Sequence, residues 1–133
     1  MYILVVSAAA CIIYYNTSVL LAKRIEGKGV KFSGYWSIFA GSREPPCEPP
    51  RVCASRELDE ETQIKVKPSQ LKFCKTFYKG NDTFDIFSFH FDKMPTVELN
   101  FEHTEYGWFE VNELDRFPYL IDDQIVQVIK SSV

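Results

Sequence analysis

The run Arg56-Glu57-Leu58-Asp59-Glu60-Glu61 constrains this chain more than any other stretch. A helix through it gathers Glu57, Glu60 and Glu61 onto one stripe, because residues three and four apart are neighbours on a helix surface. Carboxylates so placed repel one another unless a cation holds them together, so the segment is either a solvated acidic face or a divalent-metal site. Pro49-Pro50 suits a helix's first turn, and the pattern predicts a helix over about 49–62. Ala54 and Leu58, four apart, are expected to face a sheet while the glutamates face the opposite way.

The 133 residues fit one domain, 1–133, large enough to bury about two-thirds of its unfolded surface around a single core. Hydrophobic residues at 46% mark a globular chain, and a net charge of −3 gives no electrostatic reason to expect nucleic acid or an anionic membrane as a partner. The run Met1 to Tyr15 is interrupted only by Ser7; it lacks a basic leader and is shorter than the roughly 20 residues that span a bilayer. Its Ile3, Val5, Val6, Ile12 and Ile13 fit a buried strand. Cys11, Cys47, Cys53 and Cys74 form no C-x-x-C pair, which points to reduced thiols in a cytoplasmic protein.

Asn16-Thr17-Ser18 is a turn signal between 2–15 and 18–25, a predicted hairpin that ends at the polar stretch Glu26 to Gly34. Residues 71–79 and 83–92 alternate as strands around Gly80-Asn81-Asp82, with Phe87, Phe89 and Phe91 on one face as core. His90 lies on the other face and is expected to be structural. A strand at 106–111 and a C-terminal helix at about 121–131, with Ile121, Ile125, Val128 and Ile129 as its apolar side, complete the order.

The stretch from Gly41 through Glu48 to Arg56-Glu57-Leu58-Asp59-Glu60-Glu61-Thr62-Gln63-Ile64 resembles the box of the Nudix hydrolases, G-x5-E-x7-R-E-U-x-E-E-x-G-U with U aliphatic. The four fixed positions of R-E-x-x-E-E arise by chance in about one of 10³ chains this long, and Glu48 in register makes coincidence rarer still. Around the box, Leu20 to Arg24, Tyr35 to Gly41, and Glu102-His103-Thr104-Glu105-Tyr106-Gly107-Trp108-Phe109 are similar to other family segments. Six residues rather than five separate Gly41 from Glu48, Phe39-Ala40 stands where Pro-Gly is usual, and Gln63 replaces the glycine that closes the helix. The extra loop residue is able to displace Glu48 and the Ala40 carbonyl. Glycine is favoured at that last position because the residue after a helix often turns left-handed, which costs a residue with a Cβ about 1–2 kcal/mol.

The resemblance implies an α/β fold of Nudix type, an α/β/α sandwich with a mixed β-sheet. It implies a pyrophosphohydrolase that uses Mg²⁺, with Mn²⁺ as substitute, to cleave a nucleoside diphosphate linked to another group. By matching positions, Glu57, Glu60 and Glu61 bind metal with the Ala40 carbonyl, Arg56 makes a supporting ion pair, and Glu48 stands behind them. Glu102 is the first choice for a distal carboxylate that orients water or acts as base, and Glu105 the next. Arg24 and Arg43 are candidate phosphate contacts, and Phe39 or Tyr35 a candidate base-stacking ring. The partner expected is a small nucleotide, bound by a monomer or homodimer. The alternative from another class is a Nudix-like module that binds nucleotide or protein without hydrolysis.

Overall fold

The structure is a computed structural model, and it describes residues 7–27, 34–45, 47–117 and 122–133. The expectations for Ile3, Val5, Val6 and Ile121, and for most of the 26–34 stretch, fall outside the described residues. The expected hairpin forms from β1 (Ala8–Tyr15) and β2 (Ser18–Arg24). Asn16 turns it at φ 52, a left-handed conformation that asparagine tolerates better than most residues.

β1 is the spine. Its Ala9, Cys11 and Ile13 pack into one apolar cluster with Leu20, Phe39 and Leu58, while Ala10, Ile12 and Tyr14 enter a second with Leu21, Ile86 and Ile129. A strand buried on both faces reads as an unbroken apolar run, which is why the segment resembled a membrane stretch in sequence. Among the described residues no helix is long and apolar enough to cross a membrane. Helix α1 (Pro50–Thr62) covers the first cluster and α2 (Asp123–Ser132) the second, giving the sandwich the resemblance implied. The Tyr14 hydroxyl donates to the Ile129 carbonyl at 2.6 Å and ties α2 to the sheet.

The sheet is mixed. β6 (Asp82–Phe91) runs parallel to β1 along its whole length, and β5 (Lys72–Lys79) pairs antiparallel with β6 at the sheet edge. On the other edge of β1, β2 pairs only with Tyr14 and Tyr15, and a short strand β4 (Phe39–Ser42) takes Ala8 to Cys11. β2 then continues between β3 (Trp36–Ser37) and β7 (His103–Glu110). β1 thus changes partner from β2 to β4, and α1 packs on both β1 and β4 at that fork.

Three elements depart from the sequence expectation. β7 begins at His103 rather than 106, because Thr104, Glu105 and Tyr106 are all exposed and leave no alternation to follow. A 3₁₀ segment, Val111–Arg116, follows it and buries Val111 and Leu114. α2 starts later than 121, at Asp123, since the Asp122 carboxylate caps it by accepting from the Gln124 amide at 2.7 Å. Phe87 is buried, Phe89 and Phe91 pack on the α1-side cluster, and His90 stacks on Tyr14 at 4.4 Å, as expected for core and structural residues.

Candidate active site

The glutamates of α1 do not all turn away from the sheet, contrary to the sequence expectation. Glu57 is 8% exposed and Glu61 0%, so both point inward. The buried face comprises Cys53, Ala54, Glu57, Leu58, Glu61 and Thr62, two adjacent rows at helical spacing: one apolar row against the core and one that carries the two carboxylates. Gly41 on β4 makes room, since a Cβ there would lie 2.0 Å from Glu57 Cδ. Glu60 lies outside these rows, with its side chain 51% exposed.

Arg56 gathers the surrounding carboxylates. Its Nε and Nη2 donate to the two oxygens of Glu48 at 2.7 and 2.8 Å, and Nη1 donates to Glu57 at 3.0 Å and to Glu60 at 3.1 Å. The paired hydrogen bonds from Arg56 hold the Glu48 carboxyl down at about 2. Glu48 therefore remains on Arg56 despite the extra loop residue. The Glu48 amide donates to the Glu44 carbonyl at 3.1 Å and the Glu44 amide to Glu48 Oε1 at 3.0 Å. Arg43 donates from Nε to the Glu48 carbonyl at 2.6 Å, so that nitrogen braces the loop and is spent before any phosphate arrives. Gln63 adopts φ 61, ψ 13, the left-handed turn that glycine usually takes at this place, and its amide donates to the Asp59 carbonyl at 2.8 Å.

Glu61 is the outlier. Neither of its oxygens has a hydrogen-bond partner among the described residues. Burial above all, then the adjoining carboxyl of Glu57 and the charge of Glu102, push its proton affinity far above the usual carboxylate range, against a smaller opposing effect of Arg24. Burial likewise raises Glu57. Glu102 is half-buried and close enough to act on Glu61, whereas Glu105 is 58% exposed at its side chain and lies 3.8 Å from Lys23 Nζ. Of the two distal candidates, then, Glu102 is the one whose charge reaches Glu61.

Arg24 also lines a cavity of about 670 Å³ on the α2 side of the sheet, with Ile38, Ala40, Tyr78, Phe84 and Ile125 among its walls. Arg24 thus belongs to the cavity and also acts on Glu61, while Ala40 packs in the α2-side cluster. Phe39 does not: it is fully buried, with its ring 5.4 Å from that of His103, and has no face left for a base. Tyr35 is 42% exposed but is not among the cavity's walls. The exposed aromatic of the wall is Tyr78, near the end of β5.

A family model described as the NUDIX domain matches residues 5–128. The chain belongs to the Nudix hydrolase family. An octanoyltransferase of Myxococcus xanthus is 31% identical over 108 residues, which are 76% of this chain and 29% of that protein, so the chain spans under a third of the length of this curated relative. Among solved structures, the MutT protein of Aliivibrio salmonicida and Vibrio cholerae superposes with a TM-score of 0.75 at 24% identity, covering 97% of this chain and 99% of that one. A bifunctional NMN adenylyltransferase/ADP ribose pyrophosphatase of Francisella tularensis, in complex with AMP and a manganese ion, gives 0.72 at 19% identity over 95% of this chain and 41% of that one. At these identities the two structures establish the Nudix fold.

The Nudix helix fits a hard divalent cation by its chemistry. Carboxylate oxygens are the ligands such cations prefer, and Glu61 presents two buried ones with no donor among the described residues. Among the described residues Arg56 pairs with Glu44, Glu48, Glu57 and Glu60 but not with Glu61. With Glu60 held on Arg56, no three metal-binding side chains among the described residues converge on one point. His103, part of the Glu102 to Phe109 segment, stands 3.9 Å from Glu61.

Proposed function

We propose that this chain is a metal-dependent pyrophosphohydrolase acting on a nucleoside diphosphate linked to another moiety, of the nucleoside triphosphate or nucleotide-sugar type. The observation that carries this reading is Glu61, whose buried carboxylate beside Glu57 has no hydrogen-bond donor among the described residues and gains as an anion from a cation against it. Mg²⁺ is the expected ion, with Mn²⁺ as substitute; a manganese ion and AMP in the Francisella tularensis structure support both parts of the reading. When bound, such an ion neutralises diphosphate charge and lowers the pKa of a bound water.

The chain's own residues divide the remaining work. Glu57 and Glu61 would hold the ion together with Glu60, whose exposed side chain is tied to Arg56 at 3.1 Å. The Ala40 carbonyl would be the backbone ligand. Arg56 keeps Glu48 and Glu57 in place and offsets their charge. Glu102 orients the attacking water or takes its proton. Arg24 contacts phosphate, and the cavity beyond it takes the nucleoside, with Tyr78 rather than Phe39 as the stacking ring. Residues 1–133 act as one domain in this reading, in the cytoplasm, where four free cysteines are at home.

The test is phosphate release with Mg²⁺ across nucleoside triphosphates, nucleotide sugars, dinucleotides and capped RNA, with products identified by mass. Turnover that survives thorough chelation overturns the metal reading. A second reading, a Nudix-like binding module without hydrolysis, is favoured by the Arg56–Glu60 pair, which occupies one of the three helix carboxylates. Nucleotide binding without turnover anywhere in the panel would decide for it.

A further inference from the structure

One buried group faces the carboxylates with no role assigned to it. His103, the first residue of β7, pairs with Arg24 in the ladder, and its side chain is wholly enclosed. Its Nδ1 lies 3.9 Å from Glu61 Oε1, and neither ring nitrogen has a hydrogen-bond partner among the described residues. Phe39 packs against the ring at 69°, fixing its plane. Buried imidazole nitrogens are nearly always partnered, and an apolar side chain would fill the same niche without leaving two polar atoms unsatisfied. Packing alone therefore does not explain a histidine here.

We propose that His103 is a positioning residue for the metal site: its Nδ1–H donates to Glu61 Oε1 and so fixes the carboxylate with its other oxygen turned to the cation. The proposal rests on the metal-binding part of the function proposed above. A neutral imidazole has one N–H and one acceptor nitrogen, so a donor at Nδ1 matches a carboxylate that can only accept. The separation exceeds a charge-assisted hydrogen bond by about 1 Å, within reach of a small rotation of the Glu61 side chain. Without a donor on its far oxygen, Glu61 is free to swing toward or away from Glu57. With one, ion binding meets a carboxylate already oriented, as outer partners of metal ligands generally ensure.

The experiment compares the full chain with H103N, H103Q and H103L, reading Mn²⁺ affinity by titration calorimetry and the melting temperature in chelator. Asparagine places its amide donor near Nδ1, glutamine places it near Nε2, and leucine removes it. We expect H103L and H103Q to weaken Mn²⁺ binding by about tenfold or more, and H103N to stay within about threefold of wild type. Should H103L fail to fold, the H103N/H103Q pair still carries the comparison. Wild-type affinity in H103Q, or a loss in H103N equal to that in H103Q, overturns the assignment to Nδ1. A wild-type chain that binds no Mn²⁺ at all overturns the metal reading itself, so the two failures are distinguishable.

Discussion

Gly41 and Glu57 meet across the fork in the sheet: a Cβ on Gly41 would lie 2.0 Å from Glu57 Cδ and 2.2 and 2.3 Å from its oxygens. The β4 backbone is thus one wall of the chamber that holds the carboxylate. Gly41→Ala must expel Glu57 or push β4 off β1, and overpacking of this kind costs about 1–3 kcal/mol. We expect a lower melting temperature together with weaker Mn²⁺ binding. Thermal melts and calorimetry on the same sample check both, and a variant with wild-type values in each would show that the wall yields.

Glu48 sets an acid limit on the loop. Arg56 holds its folded value near 2, below the unfolded value of 4.5, so the pair contributes stability that is present above pH 4.5 and is lost as pH falls toward 2. Glu48→Gln removes the charge and the bidentate geometry, and should lower stability near neutrality by roughly 1–3 kcal/mol. Its stability should then fall less steeply than that of wild type between pH 4.5 and 2. Denaturant melts across that range test the slope; parallel curves for the two proteins would contradict it.

Glu61 has the opposite sign. Its folded value is raised, so in chelator the wild type loses stability as pH climbs above 4.5, and Glu61→Gln escapes that loss. The variant should melt higher than wild type at neutral pH without metal, by roughly 3–5 °C for each kcal/mol of burial relieved. Added Mg²⁺ should reverse the order, because a ligand stabilises only the state that binds it. Turnover should fall by roughly 10² or more in Glu61→Gln and in Glu60→Gln. A Glu61→Gln protein that gains as much from Mg²⁺ as wild type does would remove Glu61 from the ligands.

The helix was legible because its signals are local: Pro49-Pro50 at the start, carboxylates at fixed spacing, and a left-handed Gln63 at the end. The inward turn of Glu57 and Glu61 was not, because the reason lies in β4, where the absent side chain of Gly41 opens a space that no helical periodicity reveals. The same holds for Phe39, which looked like a stacking ring in sequence but faces α1 opposite Cys11 in the β4–β1 ladder. Tyr78 and His103 were missed for a related reason. Each acquires its place from a strand register, and alternation is blurred in both β5 and β7, where a register shift interrupts the pairing.

Glu102 and Glu105 are separated by that irregularity in β7. Arg24 pairs with His103 and Lys23 with Glu105, so the shift between them leaves Glu105 beside Lys23 while Glu102 precedes the strand, with its carbonyl accepting from the Ile25 amide at 3.0 Å. The charge of Glu102 acts on Glu61; that of Glu105 is answered by Lys23. A group that positions the attacking water matters mainly in the transition state, so Glu102→Gln should depress kcat by roughly 10² while leaving KM nearly unchanged. Glu105→Gln should be mild in both constants, since an exposed pair with a lysine contributes little. Steady-state kinetics on the best substrate of the panel separates the cases. The reverse order would move the role to Glu105, and two mild variants would leave water activation to the carboxylates of α1.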